Sequence, residues 1–111
     1  MRSVRSQSVS KYHAVKETVD GIKFASKKEA SRYRQLVLLE KAKAIQDLKL
    51  QVAFPLIRRS RWGREIKYVA DFTYYEDGVL VVEDTKGFRT DVYKLKKRLM
   101  GELYGIEIRE T

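Results

Sequence analysis

The sequence predicts a mixed α/β domain, an α+β arrangement in which helices pack on a central mixed sheet. Three observations support this fold class: two Asp-Gly hairpin signals, two segments with helical periodicity, and alternating strand patterns between them. The elements follow in the order hairpin, helix, three strands, helix, strand. A chain of 111 residues has room for one such core.

The first half begins with a predicted hairpin over residues 15–24, turning at Asp20-Gly21. Ser26 and Glu29 have the spacing of a helix capping box, and the helix they begin is expected to continue to Ile45, because neither glycine nor proline interrupts it. The apolar residues expected to face the sheet are Ala30, Tyr33, Leu36, Val37 and Ala44.

The second half is predicted to begin with a strand over Leu48–Phe54 that Pro55 ends. Two further strands, Tyr68–Tyr75 and Val79–Asp84, are joined by a hairpin turn at residues 76–78. A second helix over Thr90–Tyr104 is ended by Gly105, and a short strand over Ile106–Arg109 follows. The predicted core stripe of this helix comprises Val92, Leu95, Leu99 and Leu103.

The charge of the chain points to a polyanionic partner. Lys and Arg number 24 against 15 Asp and Glu, a formal net charge of +9. Residues 1–15 carry no acidic group and are predicted to form a flexible basic arm, with residues 16–111 as one domain. Without a signal peptide, a membrane-length apolar run or any cysteine, the expectation is a cytoplasmic protein with no membrane partner.

Two basic segments are candidate nucleic-acid contacts. One is a loop with a tryptophan at its centre, which either stacks on a base or packs over the sheet edge: Arg58, Arg59, Arg61, Trp62 and Arg64. The other precedes and includes the second helix: Arg89, Lys94, Lys97 and Arg98.

The candidate catalytic residues lie on two neighbouring strands. Asp71 interrupts an apolar strand, and Asp84 and Lys86 share one face at the end of the next, whereas Glu83 points to the other face. Because a short turn joins these strands, we expect Asp71 and Asp84 to lie close together. Two adjacent carboxylates favour a hard cation, Mg²⁺ or Mn²⁺, and a lysine beside it can position a water, which is the composition of a phosphodiesterase site.

The segments Tyr68-Val-Ala-Asp-Phe72 and Val82-Glu-Asp-Thr-Lys-Gly-Phe-Arg-Thr90 resemble the PD-(D/E)XK nuclease signature. Together with residues 20–30, they are similar to a family of small phage-encoded proteins in that superfamily, over about Lys11 to Glu110. The resemblance implies a restriction-endonuclease-like core, Mg²⁺-dependent cleavage of branched or duplex DNA, and a homodimer. It also implies a glutamate on the first helix as a further metal-site residue, which Glu29 matches. Ala70 departs from the pattern, at a position that carries no ligand.

Some alternatives stay open at this point. Glu29 is either a metal-site residue or only part of the helix cap, and Glu83 is the rival of Asp84 as a ligand. The expected function is a structure-selective endodeoxyribonuclease acting on branched DNA such as a Holliday junction. The alternative is a non-catalytic DNA-binding accessory module that retains the nuclease fold.

Overall fold

The structure, a computed structural model, describes residues 16–111. The basic arm predicted for residues 1–15 lies outside the described residues. The chain divides into two compact units, with the boundary between Leu38 and Leu39 in the first helix.

The first unit contains the predicted hairpin and most of the first helix. Strands β1 (Glu17–Val19) and β2 (Ile22–Phe24) pair antiparallel. Asp20 and Gly21 both have positive φ, 53° and 77°, as the tight two-residue turn requires. Helix α1 (Lys27–Lys41) follows, and the Ser26 hydroxyl accepts a hydrogen bond from the backbone N–H of Glu29 at 3.1 Å.

Helix α1 ends at Lys41, four residues before the predicted end at Ile45. Lys43 takes the left-handed conformation with φ 65°, and the N–H of Ala44 returns to the carbonyl of Leu39 at 2.9 Å. This closure satisfies carbonyls at the helix end, but its left-handed residue is a lysine, so no glycine in the sequence predicts it. Of the residues predicted to form the apolar face, Ala30, Tyr33 and Leu36 are buried, Val37 is half-buried and Ala44 is exposed.

The second unit is built on a mixed four-stranded sheet, which confirms the predicted fold class. Its strands lie in the order β3-β4-β5-β6; the first two pairings are antiparallel and the last is parallel. The parallel pairing is reached through helix α2, which contacts β3 and β4. The elements of this unit are β3 (Gln46–Ile57), β4 (Ile66–Glu76), β5 (Val79–Asp84), α2 (Asp91–Tyr104) and β6 (Arg109–Glu110).

The prediction that Pro55 ends the third strand is wrong. Pro55 pairs with Lys67, and β3 continues to Ile57 after a register irregularity. The sheet tolerates this proline because β3 is an edge strand, where one side of the backbone needs no ladder partner.

The core of the second unit lies between the sheet and helix α2. It comprises Leu56, Tyr68, Ala70, Val82, Tyr93, Met100 and Ile108. Thr90 caps the start of α2 by accepting a hydrogen bond from the N–H of Tyr93, and Gly105 ends the helix with φ 67°, as predicted. Strand β6 is shorter and begins later than the predicted Ile106–Arg109, and Ile108, just before it, is part of the core.

The predicted core stripe of α2 is wrong in most of its members. Val92, Leu95 and Leu103 are 63%, 59% and 54% exposed, and only Leu99 packs in part against the core. The helix is rotated so that Tyr93 and Met100 face the sheet instead, and the tyrosine hydroxyl gains a hydrogen-bond partner there. Within residues 16–111, no helix is long and apolar enough to cross a membrane.

Candidate active site

Asp84 is the centre of the candidate site. It ends β5 and is 1% exposed. Its Oδ2 accepts a hydrogen bond of 2.6 Å from the Tyr68 hydroxyl and lies 3.4 Å from the Nζ of Lys86. Asp84 and Lys86 therefore lie on one face, in agreement with the strand alternation.

The second oxygen of this carboxylate is different. Both side-chain contacts of Asp84 fall on Oδ2, so among residues 16–111 Oδ1 has no hydrogen-bond partner. Buried carboxylate oxygens are normally hydrogen-bonded or bound to a cation. Oδ1 is thus an acceptor whose partner is not supplied by the described part of the chain.

Asp71 lies beside Asp84. Phe72 and Glu83 form the last pair between β4 and β5, and Asp71 and Asp84 are the next residues beyond that pair on the two strands. The Oδ2 of Asp71 accepts a hydrogen bond of 2.9 Å from the backbone N–H of Thr85, the residue that follows Asp84. The expected proximity of the two strands' carboxylates is therefore present, with Asp71 half-buried and Asp84 fully buried.

Tyr68 is a site residue that sequence analysis missed. It is 3% exposed on β4, and burial raises the pKa of its hydroxyl, with further increases from the hydrogen bond and charge of Asp84 and a smaller one from Asp71. The hydroxyl therefore stays protonated and acts as a fixed donor to Asp84. In an apolar strand a tyrosine is indistinguishable from a core aromatic until its neighbours are known.

Lys86 is held between Asp84 and Tyr93. Its Nζ lies 4.5 Å from the centroid of the Tyr93 ring, a cation–π distance, and its side chain is 30% exposed. Burial and a hydrogen bond to Glu110 raise the pKa of the Tyr93 hydroxyl. The ammonium group of Lys86 is thus oriented by Asp84 and Tyr93, and the side chain remains accessible to solvent.

Glu110, also missed by sequence analysis, supports this arrangement from β6. It pairs with Asp84 across the parallel strands and accepts hydrogen bonds from Arg89 Nε at 2.8 Å, the Tyr93 hydroxyl at 2.7 Å and Lys97 Nζ at 3.1 Å. The hydrogen bond from Arg89, followed by the other donors, lowers the pKa of Glu110 to about 2. Glu110 belongs to no sequence motif that could have indicated this role.

Glu83, the rival ligand, has its own partners. It is fully buried, its Oε1 accepts a 2.6 Å hydrogen bond from the Tyr74 hydroxyl, and its Oε2 lies 3.3 Å from the Thr111 hydroxyl that donates to it. Both oxygens of Glu83 are therefore engaged, whereas Asp84 retains one that is not. This difference favours Asp84 as the ligand.

Glu29 belongs to the first unit, where it is buried at the start of α1. The capping hydrogen bond to Ser26 is donated by the backbone N–H of Glu29 and does not use its carboxylate. Within residues 16–111, no group of three or more acidic or histidine side chains is arranged to hold a metal. In the second unit Asp71 lies beside the end of β5, where it accepts the hydrogen bond from the N–H of Thr85.

The predicted nucleic-acid contacts fall into two classes. The loop arginines at 58, 59, 61 and 64 are exposed, and none of them forms an ion pair among the described residues. Trp62 in the same loop is 82% exposed. On and before α2, by contrast, Arg89 and Lys97 pair with Glu110, and Arg98 lies 3.6 Å from Glu102.

An open groove connects the candidate site with α2. It has a volume of about 380 Å³, and its lining comprises Lys86, Gly87, Phe88, Arg89 and Lys94. Lys86, whose Nζ lies 3.4 Å from Asp84, therefore lines this groove together with Lys94 of α2.

Comparison with known proteins identifies the family of the chain. No curated protein and no solved structure matches it. A family model described as "Protein of unknown function (DUF1064)" matches residues 9–110, a span that contains every residue of the candidate site. The chain therefore belongs to the DUF1064 family.

Proposed function

We propose that the protein is a metal-dependent endodeoxyribonuclease of the PD-(D/E)XK type, which hydrolyses DNA phosphodiester bonds with Mg²⁺ and accepts Mn²⁺ in its place. The observation that carries the proposal is the buried Asp84 carboxylate, which shares one oxygen between Tyr68 and Lys86, leaves the other without a partner in the described chain, and lies beside Asp71.

These residues fit a hard divalent cation. Mg²⁺ is commonly bound through one or two carboxylates, with waters and substrate phosphate completing its shell, so a pair of aspartates is sufficient. Asp84 and Asp71 would supply the protein oxygens, and Glu29 stays in the proposal as the further acidic residue. When bound, the ion would polarise the phosphoryl oxygens and lower the pKa of a coordinated water.

The other side chains have defined tasks in this proposal. Lys86 orients the attacking water and offsets negative charge that develops on the phosphate. Tyr68 fixes the orientation of the Asp84 carboxylate through its hydroxyl. Tyr93 holds the lysine in place through its ring and is itself held by Glu110, so Lys86 is pre-oriented before substrate binds.

The proposed substrate is branched or duplex DNA, processed during phage recombination in the host cytoplasm. The exposed arginines of the loop, Lys94 in the groove and the basic arm would contact phosphates. A homodimer would provide two active sites for a four-way junction. The exposed apolar residues Val92, Leu95 and Leu103 of α2 support a protein contact, because contiguous exposed apolar surface marks interaction sites.

A second candidate function is a DNA-binding accessory module without catalysis. It is favoured by the ion pair between Lys86 and Asp84, which partly neutralises the carboxylate without a metal. It is also favoured by the lack of a three-ligand acidic cluster within residues 16–111. In this alternative, the cationic loop and groove retain their roles and the carboxylates are structural.

Cleavage of labelled four-way junction, fork, duplex and single-stranded DNA, with Mg²⁺, Mn²⁺ or EDTA, tests the proposal. We expect metal-dependent cleavage that Asp84→Asn and Lys86→Ala each reduce by at least roughly 100-fold. Asp77→Asn is the matched control, since it removes the same charge in the β4–β5 turn, where φ is 53° and asparagine is well suited. Binding of these DNAs without cleavage by either metal would replace the nuclease with the accessory module.

A further inference from the structure

The tip of the β3–β4 ribbon is a closed, ordered turn. Ser60 and Gly63 exchange backbone hydrogen bonds of 3.0 and 3.2 Å across it. The N–H of Trp62 also donates to the Ser60 hydroxyl at 3.1 Å. The backbone that carries Trp62 is therefore fixed by three hydrogen bonds within the turn.

The indole of Trp62 faces solvent. It is 82% exposed, so it does not pack over the sheet edge, which was one of the two interpretations that the sequence left open. The guanidinium of Arg61 lies 4.5 Å from the ring centroid and contacts one face. Tryptophans are highly buried on average, so an exposed indole on a hydrogen-bonded turn, with a cation on one face, is suited to stack on a ligand that has its own π face.

The charges around Trp62 select the chemistry of that ligand. Residues 58–64 contain four arginines and no acidic residue. As none of these arginines forms an ion pair within residues 16–111, their donors are available to a polyanion. A ligand that offers phosphates to the arginines and a planar aromatic group to the indole is a nucleic-acid strand whose bases can reach Trp62.

The strand register places this tip beyond the candidate active site. Pairing between β4 and β5 reaches only Phe72 and Glu83, whereas pairing between β3 and β4 continues to Ile57 and Ile66. At about 3.3 Å per residue, Ile66 is roughly 17 Å from Asp71, so Trp62 stands on the order of 20 Å from the carboxylates. That separation corresponds to about six nucleotides of duplex rise.

We propose that the arginine loop is a platform on which Trp62 stacks an unpaired DNA base, so that the protein selects DNA with single-stranded bases about six nucleotides from the cleaved bond. Bases within an intact duplex already stack on each other and would have to unstack to reach the indole. A fork, a gap or a junction arm offers such bases without that cost. This inference rests on the proposed action on DNA, but the contact itself needs neither metal nor cleavage.

Fluorescence of Trp62 is a direct probe, since it is the only tryptophan in the chain. The full-length protein is titrated in EDTA with an oligothymidine strand, a blunt duplex and a fork. We expect strong quenching by the strand and the fork, and weak quenching by the duplex. In parallel, anisotropy of labelled DNA should show that Trp62→Ala weakens binding of the strand and the fork about tenfold while duplex affinity is unchanged.

Trp62→Phe keeps a ring and is expected to restore most of the affinity. Equal quenching by all three DNAs, no quenching at all, or an equal loss of affinity for duplex and single strand in Trp62→Ala would each overturn the proposal. The titration does not depend on catalysis. Failure of the cleavage assay alone would therefore remove the nuclease and leave the stacking platform in place. Cleavage without selective quenching would remove the stacking platform and leave the nuclease in place.

Discussion

At the scale of single residues, the chemistry of the candidate site depends on one hydroxyl. Tyr68 donates to Asp84 from inside the core, and the raised pKa of its hydroxyl keeps the proton on oxygen. A buried carboxylate needs such a donor, because an ionised group removed from water without a partner is costly. Tyr68 thus supplies the side-chain hydrogen bond that holds one oxygen of Asp84 in place.

Tyr68→Phe removes this donor and little else. We expect the free energy of unfolding to fall by about 1.5 to 3 kcal/mol, the usual value of a hydrogen bond to a charged group, as measured by urea denaturation. Tyr75→Phe is the control, since Tyr75 is 40% exposed on the same strand. Equal stability of the two variants would show that the Tyr68 hydroxyl contributes nothing to Asp84.

Sequence patterns reveal residues that break them, and for this reason Asp71, Asp84 and Lys86 were recognisable. Each is a charged residue at an apolar strand or its end, and the short turn at Asp77-Gly78 determines that their strands are neighbours. Tyr68 could not be found in this way, because it obeys the apolar pattern and its partner depends on side-chain packing.

At the scale of elements, strand β6 and helix α2 are joined through Glu110. This carboxylate receives donors from Arg89 just before the helix and from Tyr93 and Lys97 within it. Its pKa of about 2 lies below the ordinary 4.5. The ionised carboxylate therefore stabilises the folded chain fully above about pH 4.5, and this contribution is lost as the pH falls towards 2.

Glu110→Gln should accordingly be less stable than the wild type at pH 7, with a difference that shrinks between about pH 5 and pH 2. Urea denaturation at pH 7, 5, 4 and 3 measures it. Glu107→Gln, which removes the same charge from an exposed residue in the same segment, is expected to show no such convergence. A Glu110→Gln deficit that is constant across this range would mean that the carboxylate is not held ionised by its partners.

Elements were predictable where the deciding interaction is local. The Asp-Gly turns, the Thr90 cap and the Gly105 stop each depend on a few adjacent residues, and each was found. Strand β3 passes through Pro55 because of its place at the sheet edge, and α2 buries Tyr93 and Met100 because of how it meets the sheet. The length of β3 and the buried face of α2 both depend on tertiary packing, which the periodicity of the sequence alone does not determine.

At the scale of the whole molecule, the net charge of +9 is not equally available to a partner. Acidic residues already pair with Arg89, Lys97 and Arg98 around α2. The arginines of the loop have no such pairing among the described residues. Electrostatic attraction to DNA should therefore be concentrated at the loop, although composition suggests a uniformly basic protein.

The salt dependence of binding distinguishes a concentrated charge from a uniform one. Arg59→Ala and Arg98→Ala each remove one positive charge, but Arg98 lies 3.6 Å from Glu102, which already offsets its charge. If the loop contacts phosphates, Arg59→Ala should reduce the slope of log K against log salt concentration by about 0.7 to 0.9 for forked DNA. Arg98→Ala should change it far less. Anisotropy titrations in EDTA at several salt concentrations measure both slopes, and equal reductions would show that DNA responds to the net charge of the protein and not to the loop.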